Sequence, residues 1–263
     1  MGKFDGILLV TDFDGTVAVG AKISQGNAEA IRYFQEEGGI YTLCSGRIEK
    51  GITELMAPVV PNAPCILVNG TLIYDTKQNE CLYRAPCGRE LWDFCEKMYD
   101  TFPEDVDGLR MYPVGEGINV DRAKGGITQS LWEMYDRPIL KGIIHVAADS
   151  SDRMLEAIRD KARGRFSVSR SWPRGIEVQA LGCDKGAAVL RLRKLLGERV
   201  KLLVTAGDYE NDVSLLEVAD IGYAVGNAQP AVKAVASRIT VPCAEDAVAR
   251  IIADLEKDVQ TLA

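Results

Sequence analysis

Short continuous apolar runs alternate along this chain with stretches whose apolar residues recur every three or four positions, and the rhythm changes twice. Ile7–Thr11 is an apolar run ending at Asp12 and predicts a buried strand. Asn27–Glu37 places Ala30, Ile31 and Phe34 at helical spacing before Gly38 and Gly39, a helix with a stop. Tyr41–Cys44 reads as a second strand, Ile48–Met56 as a shorter helix and Cys65–Val68 as a third strand. Apolar strands alternating with helices imply a parallel sheet covered on both faces.

After Asn69-Gly70 the pattern shifts. Thr71–Tyr74 and Cys81–Tyr83 suggest a hairpin, and Glu90–Phe102 a helix with Leu91, Phe94, Cys95 and Met98 on one face. Leu109–Tyr112 and Ile118–Val120 read as strands, Gln129–Tyr135 as a helical patch, Gly142–Ala147 as a strand, Asp152–Arg163 as a helix and Phe166–Ser171 as a strand. From Lys185 the first rhythm returns: a helix to Leu196, a strand Lys201–Ala206, a helix Glu210–Val218, a strand Ile221–Val225 and a last helix near Glu245–Leu255. The fold class is therefore α/β, a Rossmann-like parallel sheet made of residues 1–84 and 180–263, with an α+β insertion over residues 85–179.

Composition narrows the partners. With 47% apolar and 26% charged residues the chain is expected to fold as an ordinary globular protein. Its net charge of −7 argues against a nucleic-acid surface, which needs a dense basic patch. An anionic small molecule would have to be drawn by a local cluster of cations and metal. Seven cysteines form no CxxC pair and are read as buried thiols, not as a disulfide scaffold or a zinc site. No apolar run reaches membrane-spanning length, and MGKFDG enters strand-like sequence with no signal segment, so the expected location is the cytoplasm.

In an open parallel sheet the carboxyl ends of the strands share one edge, where ligands bind. Four polar clusters fall at predicted strand ends: Asp12-Phe13-Asp14-Gly15-Thr16, Ser45-Gly46-Arg47, Asn69-Gly70, and Gly207-Asp208 with Asn211-Asp212. Lys185 opens the helix after the insertion. Asp12 and Asp14, two apart in extended backbone, point the same way, so one can attack while the other moves a proton. Either could equally serve a turn or a helix cap if taken alone. Asp12 with Asp208 suits magnesium, which takes a few carboxylates along with water and phosphate oxygens. Ser45 and Lys185 can supply a hydroxyl and an ammonium to the equatorial oxygens of a transferring phosphoryl group.

The ordered set DFDGT, CSGR, GCDKG and GDYEND resembles the four motifs of the haloacid dehalogenase (HAD) superfamily, and VNGTLIYD resembles its Cof-like branch. The resemblance covers nearly the whole chain. It implies a magnesium-dependent phosphatase acting on a small-molecule phosphate ester through an aspartyl phosphate. By position, it makes Asp12 the nucleophile and Asp14 the general acid and base. Ser45 and Lys185 become phosphoryl-binding groups, Asp208 a magnesium ligand and Asp212 an acidic support of the metal site, to which Asp14 adds its backbone carbonyl. It places Arg47, Asn69 and Asn211 near the substrate, with Asn227 bracing the site, and the insertion as a cap. At Ala247 many relatives have glycine. A phosphomutase with the same motifs is the nearest alternative, and a non-catalytic phosphoacceptor a more distant one. Within the insertion, Arg122–Gly126 and Ser169–Arg174, with Arg122, Lys124 and Trp172, are the candidates for contacting the leaving group. The sequence carries no signal for an oligomeric state.

Overall fold

The computed structural model describes residues 2–114, 120–122 and 137–262. The chain divides into two compact units, Met1–Leu82 with Asp184–Ala263, and Tyr83–Cys183.

The first unit is built on a five-stranded parallel sheet in the order Arg238–Ile239, Ile221–Ala224, Leu202–Gly207, Ile7–Thr11, Ile40–Leu43. All five residues of Ile7–Thr11 are buried, as a strand covered on both faces requires. Thr11 lies in register with Ala206 on one side and Leu43 on the other. The chain moves from this strand outward in one direction and returns on the other side after the insertion. Asp12 therefore leaves the sheet at its switch point, where a crevice opens between diverging loops.

Helices cover the sheet for legible reasons. Gln25–Glu36 begins at Ser24, whose hydroxyl caps the Asn27 amide at 3.1 Å, and buries Ala28, Ile31 and Phe34. It packs against Ala247–Leu262, a helix longer than the periodicity alone predicts. Ala247 opens that helix, and the left-handed residue at the turn is Asp246, with φ 58°. Lys185–Leu196 is capped by the Asp184 carboxylate, which accepts from the Ala187 amide at 2.8 Å.

Two expectations change here. The third strand does not simply extend the parallel sheet. Cys65–Leu67 touches its neighbour through one parallel bridge, Cys44 to Ile66, and pairs antiparallel with Leu72–Asp75. The cause is the turn at Val68–Gly70, which reverses the chain at once. The predicted helices Ile48–Met56 and Glu210–Val218 shrink to Glu49–Thr53 and to a 3-10 turn, Glu210–Asp212, followed by Val213–Glu217. A small hairpin, Ala18–Val19 with Lys22–Ile23, and a helix, Pro230–Val235, are too short for periodicity to reveal.

The second unit is a five-stranded antiparallel sheet in the order Phe166–Trp172, Gly175–Ala180, Ile139–Val146, Val106–Pro113, Val120–Arg122. The helices Arg89–Thr101 and Ser151–Ala162 bury Leu91, Phe94, Met98, Met154 and Ile158 with Leu109, Ile144, Ile176 and Val178 in one core. Sequence reading missed the strand Gly175–Ala180, because Glu177 and Gln179 break its apolar run. By alternation these two residues occupy the face opposite Ile176 and Val178. Both are nonetheless buried. Lys141 Nζ lies 2.9 Å from Glu177 Oε1, with side-chain exposures of 3% and 1%. The ammonium also sits 4.9 Å from the centre of the Tyr112 ring. The predicted helical patch Gln129–Tyr135 lies outside the described residues.

All seven cysteines are free, six of them buried and Cys81 half-buried. No helix among the described residues is long and apolar enough to cross a membrane.

Candidate active site

The carboxyl edge of the first unit's sheet gathers four charged side chains from three separate stretches of chain. The Asp12 amide donates to the Ala206 carbonyl at 2.9 Å, which fixes the loop beside the end of the neighbouring strand. Lys185 reaches in from the start of its helix and donates to Asp12 Oδ1 at 2.6 Å and Asp212 Oδ1 at 2.5 Å. The other oxygen of Asp212 accepts from the amides of Asp208 at 2.9 Å and Tyr209 at 3.1 Å. Asp212 thus holds both the lysine and the loop that carries Asp208. Oxygens of Asp12, Asp208 and Asp212 all lie within 4.8 Å of one another. Gly15 has φ 86°, and a Cβ there would fall 2.4 Å from Asp208 Oδ2, so only glycine lets the first loop approach this closely.

Burial sets the electrostatics. For Lys185, burial works against the charged form, but Asp12 and Asp212 outweigh it and hold its pKa well above the ordinary value. It is an ammonium. Burial pushes the Asp12 carboxyl well up, Lys185 pulls it down, and Asp212 and Asp208 add repulsion. Asp208 is pushed up to about 7, first by burial and then by Asp212, against the pull of Lys185 and of the Thr16 hydroxyl. Cys44, close by, has its thiol pushed up by burial, so it is an inert neighbour and not a rival nucleophile.

Two buried carboxylates and the half-buried Asp208 beside one ammonium leave an excess of negative charge and hard oxygen donors. That donor set fits a divalent cation of the magnesium type. A testable consequence follows from the sign of the Asp208 shift. Without metal, the folded state keeps a proton on Asp208 up to about pH 7, whereas the unfolded chain releases it near 3.8, as an ordinary aspartate does. Metal-free stability should therefore fall as pH rises through that window. Metal competes with the same proton. The rise in melting temperature on adding magnesium is expected to be larger at about pH 7.5 than at about pH 5.5. An equal rise at both values would count against Asp208 as a metal ligand.

The remaining predicted residues are placed as follows. Asp14 is gripped by Arg47, whose Nε and Nη2 donate to its two oxygens at 2.7 Å each. Arg47, expected near the substrate, thus binds the second aspartate. Ser45 is buried, and its hydroxyl accepts from the Arg47 amide at 3.2 Å. Asn211 Nδ2 donates to Asn69 Oδ1 at 3.1 Å, so the two asparagines meet each other. Asn227 braces the first loop, donating to the Gly15 carbonyl at 2.9 Å and accepting from the Cys243 amide at 2.7 Å. Thr16 was given no role by the sequence reading. It is fully buried, and its hydroxyl donates to Asp208 Oδ1 at 3.1 Å. The only signal for it was its place inside the first motif.

The insertion candidates fare differently. Lys124 lies outside the described residues, and of Arg122 only the backbone, on the strand Val120–Arg122, is described. Ser169–Arg174 lies mostly on the strand Phe166–Trp172. Arg170 donates to Ser151 Oγ at 2.9 Å and Asp152 Oδ1 at 2.6 Å, and Arg174 to Asp107 Oδ2 at 2.6 Å. These two cations are thereby committed within their own unit. Trp172 is half-buried and tilts 54° against His145, with ring centres 5.9 Å apart.

This fold and constellation have relatives. Residues 9–106 and 116–252 match the family model of the haloacid dehalogenase-like hydrolases. The chain belongs to that family, in its Cof-like branch, and is an enzyme of the hydrolase class. It is 28% identical over 250 residues to the 5-amino-6-(5-phospho-D-ribitylamino)uracil phosphatase YcsE of Bacillus subtilis (strain 168), covering 93% of this chain and 94% of that protein. It is 27% identical over 238 residues to phosphoglycolate phosphatase 2 of Saccharolobus solfataricus, covering 89% and 85%. Among solved structures it is similar to a haloacid dehalogenase-like hydrolase from Bacteroides thetaiotaomicron, with 25% identity, TM-score 0.76 and coverage of 94% and 98%.

Proposed function

We propose that this hydrolase cleaves phosphate monoesters of small molecules, with magnesium, through a phosphoryl group carried transiently on Asp12. The observation that carries the reading is the meeting of Asp12, Lys185, Asp208 and Asp212 at one sheet edge, with a second carboxylate, Asp14, two residues along the same loop. Asp12 and Asp208 would hold the metal, with the Asp14 carbonyl, while Asp212 secures the lysine and the Asp208 loop. When bound, magnesium supplies positive charge that lets a phosphate dianion enter a carboxylate-rich site.

A carboxylate oxygen of Asp12 attacks phosphorus in line, and the ester P–O bond breaks as the Asp12–phosphorus bond forms. Asp14 gives its proton to the departing alkoxide, a step that requires one of its oxygens to leave Arg47 and carry that proton. It then takes a proton from water, whose oxygen attacks the aspartyl phosphate and frees Asp12 and inorganic phosphate. Lys185 and the Ser45 hydroxyl neutralise and hold the non-bridging oxygens. Arg47 keeps the Asp14 carboxylate from wandering between rotamers. Because these groups address only the phosphoryl group, we assign the choice of leaving group to the second unit, acting as a cap.

Phosphate release across a panel of monoesters tests this. The panel should hold sugar phosphates, phosphoglycolate, pyridoxal phosphate, flavin mononucleotide and 5-amino-6-(5-phosphoribitylamino)uracil. We expect release with magnesium, loss of it in excess chelator, and poor substitution by calcium, whose larger and looser shell spoils the in-line geometry. Undiminished turnover in chelator would overturn the metal assignment. Transfer to an acceptor hydroxyl without phosphate release would instead indicate a mutase.

A further inference from the structure

We propose that the turn Val68-Asn69-Gly70 is a strut that positions the phosphoryl-binding loop, and that Asn69 is a positioning residue and not a substrate ligand. The proposal rests on the functional reading above and adds a role that the motif residues do not carry. Its first support is backbone conformation. Three successive residues have positive φ, 51° at Val68, 51° at Asn69 and 98° at Gly70. A β-branched residue almost never adopts this region, so the surroundings must over-determine it. All three residues are buried.

What the turn accomplishes is visible in its hydrogen bonds. The Val68 amide donates to the Arg47 carbonyl at 3.0 Å, and the Asn69 amide donates to the Ser45 carbonyl at 3.0 Å. Both ends of the Ser45-Gly46-Arg47 loop are therefore fastened by two buried amides at the start of the left-handed turn. That loop carries the Ser45 hydroxyl and the arginine that grips Asp14. The Asn69 side chain extends the fastening: its Oδ1 accepts from Asn211 on the turn that ends in Asp212. A Cβ at Gly46 would stand 3.1 Å from the same Oδ1. On its far side the strut meets the lysine helix. A Cβ at Gly70 would fall 2.3 Å from the carbonyl of Asp184, the residue before Lys185. One buried turn thus abuts the loops or helix starts that bear Ser45, Arg47, Asp212 and Lys185.

A substrate ligand and a strut respond differently to substitution. Loss of a ligand weakens binding and raises KM, whereas a misplaced loop weakens only interactions made in the transition state and lowers kcat. Glycine adopts the left-handed backbone without steric cost, whereas alanine adopts it only at a cost. With para-nitrophenyl phosphate and saturating magnesium, Asn69→Ala is expected to lower kcat by about 10- to 100-fold with KM changed less than about twofold. Asn69→Gly should stay within about fivefold of the parent, since it keeps both amides in place while giving up side-chain contacts such as the bond to Asn211. Amide hydrogen exchange gives a readout independent of turnover. The amides of Val68 and Asn69 should exchange faster in Asn69→Ala and stay protected in Asn69→Gly.

A raised KM with kcat retained would overturn the proposal in favour of a substrate contact. So would an Asn69→Gly enzyme as impaired as Asn69→Ala, or unchanged exchange in Asn69→Ala. If Asn69→Ala does not fold, Asn69→Gly decides alone, because lost protection or a raised KM in that variant contradicts the strut. Should the parent enzyme hydrolyse no monoester, the functional reading falls while the exchange comparison still tests the turn.

Discussion

Lys185→Met is expected to cost this protein both its turnover and a large part of its stability. The lysine side chain is fully buried between Asp12 and Asp212, with side-chain exposures of 0%, 8% and 1% for the three residues. Methionine fills a similar volume but leaves two buried carboxylates facing each other without a cation. Removing one partner from a buried ion pair typically costs about 3–5 kcal/mol. Denaturant unfolding of the metal-free variant should show a loss of that order, partly recovered by magnesium. Loss of a preorganised donor on the phosphoryl oxygens should lower kcat by about 10²- to 10³-fold for every substrate alike. A variant within about 1 kcal/mol of the parent and with full turnover would deny Lys185 both roles.

Asp12→Asn should separate the two properties that Lys185→Met loses together. The carboxamide cannot act as the nucleophile, so turnover should drop by at least about 10⁴-fold, the scale seen when the central covalent group of a catalytic unit is lost. The metal-free fold should be as stable as the parent or more so. The change removes one of three mutually repelling carboxylates, and an amide oxygen can still accept from Lys185. Thermal melts without magnesium, set beside a phosphate-release assay, check both halves. Substantial residual hydrolysis would place the nucleophile elsewhere. A marked loss of metal-free stability would mean that the ionised pair with Lys185 contributes more than its burial costs.

Much of this arrangement was legible in the sequence, for physical reasons that also explain the gaps. Asp12, Ser45 and Asp208 stand directly after runs of apolar residues, and such runs reveal parallel strands and so the edge where their ends converge. Lys185 opens a strongly helical stretch, so its place was equally readable. Thr16 and the Arg47–Asp14 clamp escaped because a side-chain partner depends on loop conformation, which apolar periodicity does not encode. The left-handed turn at Val68 was hidden for a stronger reason: valine at that conformation contradicts local propensity, and only the tertiary setting holds it there. The strand Gly175–Ala180 escaped for a related one, since Glu177 and Gln179 read as exposed positions and are buried.

The buried pair Lys141–Glu177 bears on how this lineage can change. In the second unit's sheet the two charges neutralise each other away from water. A mutation at either position alone breaks the pair, and breaking a buried pair typically costs about 3–5 kcal/mol, a large fraction of the total stability of an ordinary domain. Two well-packed apolar residues would serve the fold equally well, but the path to them crosses a deep fitness valley whichever site moves first. The pair is therefore a mutational ratchet: each charge makes the other costly to lose, whether or not the two confer any advantage over an apolar replacement.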